Sequence, residues 1–137
     1  MNRFAGTTAE ERAALIVAAI RAHRDRQSPY LTLEVDPESD PKRSGGATVG
    51  PPPWIQYREQ DERLNLDCTA DELDSMRAAI DQIGGVRVTE QESVEGGGTN
   101  LRISVSGDDE RVAHVMEQIL VDGFGLPADH RLWAIEI

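Results

Sequence analysis

Residues 54 to 58 (Trp54-Ile55-Gln56-Tyr57-Arg58) and 63 to 68 (Arg63-Leu64-Asn65-Leu66-Asp67-Cys68) alternate apolar and polar side chains on either side of a short charged turn, Glu59-Gln60-Asp61-Glu62. A period of two places one set of side chains on one face of a strand, and a connection this short joins antiparallel neighbours. The pattern therefore commits the chain to an antiparallel sheet with one buried side. A second hairpin is read from Val86-Arg87-Val88-Thr89 and Leu101-Arg102-Ile103-Ser104-Val105, joined through Glu95-Gly96-Gly97-Gly98-Thr99-Asn100. Tyr30-Leu31-Thr32-Leu33-Glu34-Val35 is a further half-buried strand, with Leu31, Leu33 and Val35 on one side.

Helical periods separate these strands. Thr7 and Thr8 stand at capping-box spacing from Glu10 and Glu11, and Ala13, Ile16, Val17 and Ile20 follow at i, i+3, i+4 and i+7, which predicts a helix over about 8–26. Arg24 and Arg26 suit its carbonyl end, and Ser28-Pro29 blocks its continuation. Thr69 and Glu72 open a second helix with Leu73, Met76, Ile80 and Ile83 on one stripe, stopped by Gly84-Gly85. Asp108 and Asp109 start a third, which carries Val112, Val115, Met116, Ile119 and Leu120 and ends near Gly123. The tail Arg131-Leu132-Trp133-Ala134-Ile135-Glu136-Ile137 is either a last edge strand or a docking tail. The fold class that follows is α+β: an antiparallel sheet of about five strands with helices packed on it, in the order α-β-β-β-α-β-β-α.

Between the first strand and the first hairpin, residues 36–53 hold Pro37, Pro41, Gly45, Gly46, Gly50 and Pro51-Pro52-Pro53, with Val49 as the only large aliphatic residue. So little apolar surface cannot offset the entropy of ordering, and the segment reads as a flexible loop inside one domain spanning 1–137. The three prolines favour an extended approach to Trp54.

Charge narrows the partners. Against 14 Lys plus Arg stand 25 Asp plus Glu, a net charge of −11 over 137 residues, with no basic patch to interrupt it. Such a field repels phosphate backbones and anionic headgroups, so neither nucleic acid nor a membrane is an expected partner. Met1-Asn2-Arg3-Phe4-Ala5 leads into an acidic helix start, and no run of about 18 apolar residues occurs. Together with a lone cysteine, Cys68, this points to a soluble cytoplasmic protein without a signal peptide.

No reaction is legible. His23, His114 and His130 show no metal-ligand spacing and no second cysteine joins Cys68, so neither a metal nor a cofactor is expected. Gly96-Gly97-Gly98 joins two strands and lacks the lysine of a phosphate loop. Asp71-Glu72, Asp108-Asp109 and Glu10-Glu11 all fall in helix first turns, where dipole compensation accounts for them. Trp54, Tyr57, Phe124 and Trp133 are most of the few aromatic residues, and tryptophan is a frequent interface anchor.

Pro53-Trp54-Ile55-Gln56-Tyr57, its continuation through Leu64-Asn65-Leu66 and the α-β-β-β-α-β-β-α order over residues 8–122 together resemble the peptide-binding chaperone superfamily of type III secretion chaperones and YbjN-like proteins, widespread in actinobacteria as the TY-Chap group. The resemblance implies a non-enzymatic module, often a homodimer, that holds a client protein or peptide on an apolar groove or sheet edge. The client-binding positions it suggests here are Leu31, Leu33, Trp54, Ile55, Tyr57 and Trp133. The acidic exterior favours a basic client. A small acidic inhibitor or immunity-type protein acting on a basic enzyme is the alternative, and the two differ in salt dependence, since apolar burial survives salt and charge mimicry does not.

Overall fold

The computed structural model describes residues 4–27, 30–40, 52–95 and 97–135. Along the chain the elements are β1 (Phe4–Gly6), α1 (Ala9–Asp25), β2 (Leu31–Val35), β3 (Trp54–Arg58), β4 (Arg63–Cys68), α2 (Ala70–Asp81), β5 (Arg87–Ser93), β6 (Thr99–Ser104), α3 (Asp109–Gln118) and β7 (Leu132–Ile135). The fold is α+β, with seven strands instead of about five, all antiparallel in the order β1-β7-β2-β3-β4-β6-β5. The element order expected for residues 8–122 is present, and β1 and β7 extend the sheet beyond β2.

The period of two does what its chemistry requires. Leu33 pairs with Ile55 on one side and Ala134 on the other, and Leu64 pairs with Tyr57 and Ile103, so the buried residues of five strands form one continuous apolar surface. The helices cover that surface with Leu15, Ile16 and Ile20 of α1, Met76 and Ile80 of α2, and Val112, Val115 and Met116 of α3. The opposite face presents Thr32, Gln56, Asn65 and Arg102, all half-buried, which is the alternation of a sheet with one solvated side.

Caps behave as their residue types dictate. Thr69 and Glu72 form a reciprocal box, Thr69 Oγ1 accepting from Glu72 N at 3.2 Å and Glu72 Oε1 accepting from Thr69 N at 2.9 Å. At α1, Thr8 Oγ1 accepts from Glu11 N, but the Glu11 carboxylate reaches back to Thr7, taking both its N–H and its hydroxyl at 3.0 and 2.9 Å. Those bonds hold the Glu11 carboxyl below its ordinary value. After α3 the chain widens into a π turn, Ile119–Gly123, and a Cβ on Gly123 would lie 2.5 Å from Met76 Sδ, so glycine lets this turn press against α2.

Three expectations are corrected. The C-terminal tail is neither an edge strand nor a docking tail at Leu132–Ile135: it is an internal strand, because β1 pairs on its far side. The buried stripe of α1 runs through Arg12, Leu15, Ile16, Ala19, Ile20 and His23, while Ala13 and Val17 are half-exposed. Of the loop expected over 36–53, Pro37–Ser39 forms a 3-10 turn, Asp36 N donates to Arg131 O, and Val35 N donates to Pro53 O. Residues 41–51 of that loop lie outside the described residues.

Candidate functional site

The six positions expected to hold a client do not share a surface. Leu31, Leu33, Ile55 and Tyr57 face the helices and are buried at 7 % exposure or less, so the apolar side of the sheet is filled by the protein's own helices. Burial, with Glu59 nearby, also raises the Tyr57 hydroxyl above its ordinary value. Trp54 and Trp133 point the other way. They are the only two tryptophans of the chain, and both are half-buried on the solvated face.

Register brings them together. Glu34, in the middle of β2, is the cross-strand partner of Trp54 on β3 and of Trp133 on β7. With neighbouring strands about 4.8 Å apart, the two indoles are rooted about 10 Å from each other with a carboxylate between them. Among the described residues Glu34 has no hydrogen-bond or ion-pair partner on its side chain. Thr32, Gln56 and Ile135 form the next row of the same face. Glu34 carries no chemistry in the linear sequence that would mark it, because its second indole arrives from a strand about a hundred residues away.

The rest of the solvated face is already tied to itself. Asn100 Nδ2 donates to Asn65 Oδ1 at 2.7 Å and to Asp67 Oδ1 at 2.8 Å, and Arg102 pairs with Glu90. The Arg58 guanidinium lies 4.9 Å over the Tyr30 ring. Around α1, Arg24 pairs with Glu59 and with Asp109, the latter at 2.7 Å, and Arg21 also meets Asp109, which holds the Asp109 carboxyl low. Much of the negative charge is thus spread over helix caps and arginine pairs.

The family match covers residues 1–137 and is described as a family of unknown function (DUF7975). The chain belongs to that family. No curated protein and no solved structure matches it.

Elsewhere in this DUF7975 member, Cys68 lies buried on β4, and burial, with Glu72 and Asp67 nearby, pushes its thiol up to about 11. His114 is exposed on α3. Among the described residues there is no group of three His, Cys, Asp or Glu side chains placed to hold a metal ion, and no helix is long and apolar enough to cross a membrane. A groove of about 510 Å³ runs beside α1 along β1 and β7. Sequence reasoning missed it, although alanines at 14, 18 and 22, four apart on one helix face, are the signal that could have shown it.

Proposed function

We propose that the chain is a non-enzymatic protein- or peptide-binding module, of the type III secretion chaperone-like kind, that holds a basic client segment across the Trp54-Glu34-Trp133 row. The observation that carries this reading is the row itself: both tryptophans of an aromatic-poor chain stand on the solvated side of the sheet, flanking a carboxylate. A Lys or Arg side chain laid on the half-buried indole of Trp54 gains both apolar contact and cation–π attraction. Glu34 then supplies the opposite charge. The element order α1-β2-β3-β4-α2-β5-β6-α3 supports the chaperone-like reading, to which the resemblance adds a homodimer and an actinobacterial host and the lone cysteine a cytoplasmic setting.

Because Trp54 and Trp133 are the only tryptophans, their emission reports the site directly. Titration with short peptides carrying Lys and Arg beside leucines is expected to shift and quench it, and most of the signal survives about 0.5 M salt because apolar contact is not screened. Trp54→Ala and Trp133→Ala each weaken binding about tenfold or more, in the range of interface anchors. Glu34→Gln reduces the preference for basic over neutral peptides. Emission unmoved by every peptide refutes the reading, and binding abolished by salt favours the charge-mimicking inhibitor instead.

A further inference from the structure

The ties that hold the solvated face stop short of one corner. Arg58 on β3 is the cross-strand partner of Arg63 on β4, Arg63 that of Ser104 on β6, and Ser104 that of Arg87 on the edge strand β5, so register sets all four in one row. Their chain neighbours Leu64, Ile103 and Val88 pack into the core, which turns Arg63, Ser104 and Arg87 to the solvated side. Positions 63, 87 and 104 come from three strands, so no window of sequence holds this row. It is basic, in a chain of net charge −11.

Two neighbouring cations are already engaged. Arg58 Nε meets Asp61 at 3.2 Å while its guanidinium lies over Tyr30, and Arg102, one step in from Ser104, is held by Glu90. By contrast, Arg63, Ser104 and Arg87 have no side-chain hydrogen bond or ion pair among the described residues. With strands about 4.8 Å apart, the two arginines are rooted about 10 Å from each other with a hydroxyl between them. Two carboxylates on alternate residues of an extended segment, about 7 Å apart, each reach one guanidinium, and the Ser104 hydroxyl donates between them. Like charges gathered in one row repel one another, and seated anions remove that repulsion.

The arginine row shares its face with the Trp54-Glu34-Trp133 row, and the register fixes their separation. From Trp54 to Arg58 is about 13 Å along β3, and from β2, at the centre of the tryptophan row, to Ser104 is three strands, about 14 Å. The two centres therefore lie about 19 Å apart, about six residues of extended chain. Granted the client reading of the tryptophan row, on which this rests, we propose that the client segment is dipolar: with a basic residue seated at Trp54, Glu34 and Trp133, it places a pair of acidic side chains, about six extended residues away, on Arg63, Ser104 and Arg87.

Tryptophan emission of the full chain, titrated at low salt with three peptides made in both sequence orders, tests this. Each carries an Arg-Leu head; one adds Glu-Ala-Glu after a neutral spacer of about six residues, the second Gln-Ala-Gln after the same spacer, and the third Glu-Ala-Glu directly beside the head. The first is expected to bind about fivefold more tightly than the second, the range of two partly exposed ion pairs, and the third no more tightly than the second. A net charge of −11 repels added glutamates, so this preference has the opposite sign to the general field of the chain. Arg63→Gln with Arg87→Gln, at side chains with no partner to lose among the described residues, keeps the melting temperature and reverses the preference. Equal affinity for the first two peptides, a glutamate preference that ignores the spacer, or one that persists in the double variant overturns the dipolar assignment and leaves the tryptophan row as a basic site. Emission unmoved by all three overturns both.

Discussion

Arg12 is the most consequential charged residue of the interior, and replacing it with methionine isolates what it does. Its side chain is 0 % exposed, yet every face of the guanidinium is engaged: Nε and Nη2 grip the Glu117 carboxylate at 2.9 and 2.5 Å, and Nη1 donates to the carbonyls of Ala128 and His130 at 2.9 Å each. One side chain of α1 thereby fastens α3 and the turn that delivers β7. Arg12→Met keeps the volume of the stem but leaves Glu117, itself 14 % exposed, with no cation and the two carbonyls with no donor. Breaking one side of a buried pair costs about 3 to 5 kcal/mol. At about 2.1 cal/mol/K of unfolding entropy per residue, a 137-residue chain loses about 0.3 kcal/mol of stability per degree near its midpoint, so a loss of 4 kcal/mol lowers Tm by about 14 °C. Arg12→Lys, which keeps the charge but cannot satisfy a carboxylate and two carbonyls at once, falls between. Differential scanning calorimetry gives the numbers, and hydrogen exchange at residues 128–131 localises the effect. A melting temperature within about 3 °C of wild type for Arg12→Met refutes the assignment.

Two further perturbations follow from the same region. His130 is buried with Nδ1 donating to Pro127 O, and burial, with Arg12 close by, holds its pKa below 6.5. The unfolded chain therefore binds that proton more readily, so this contribution is complete above pH 6.5 and fades as pH falls towards the lower folded value; His130→Asn, which retains a donor for Pro127, is expected to flatten the fall of Tm between about pH 6.5 and 5, and an unchanged slope would show that His130 is not its source. A Cβ on Gly6 would lie 2.8 Å from Arg12 N and 2.9 Å from Glu11 C, both backbone atoms that cannot swing aside. Gly6→Ala is expected to cost about 1 to 3 kcal/mol and to speed exchange at β1 ahead of the rest of the sheet, whereas wild-type stability and exchange would show that β1 has room to shift.

What could be read in advance was local. Both hairpins, the three helices and their caps depend on residues within a few positions of one another, so the periods of 2 and 3.6 and the Thr69/Glu72 box carried them. Placing β7 between β1 and β2 depends on pairing the two ends of the chain, which no window of sequence contains. Arg12 was hidden for a related reason: a charge on an apolar stripe looks like surface until Glu117 and two carbonyls arrive from the far end. The grouping of the six candidate residues failed on the period itself, since Trp54 and Ile55 are adjacent in a strand and must face opposite sides. The row around Glu34 is not legible locally because its second indole comes from β7, whereas the α1 groove left one local signal, the alanines at 14, 18 and 22.

The position of β7 also sets a timetable. A chain made from its N-terminus can zip β2, β3, β4, β6 and β5 together once α3 has emerged, but β1, synthesised first, has no neighbour until Leu132–Ile135 leaves the ribosome. Until then the open side of β2 presents unpaired N–H and C=O groups, the kind of edge that recruits foreign strands. The strand that closes this side of the sheet is thus made about a hundred residues after β2, and translation that stalls before Leu132 would leave the other strands paired with their most adhesive edge exposed.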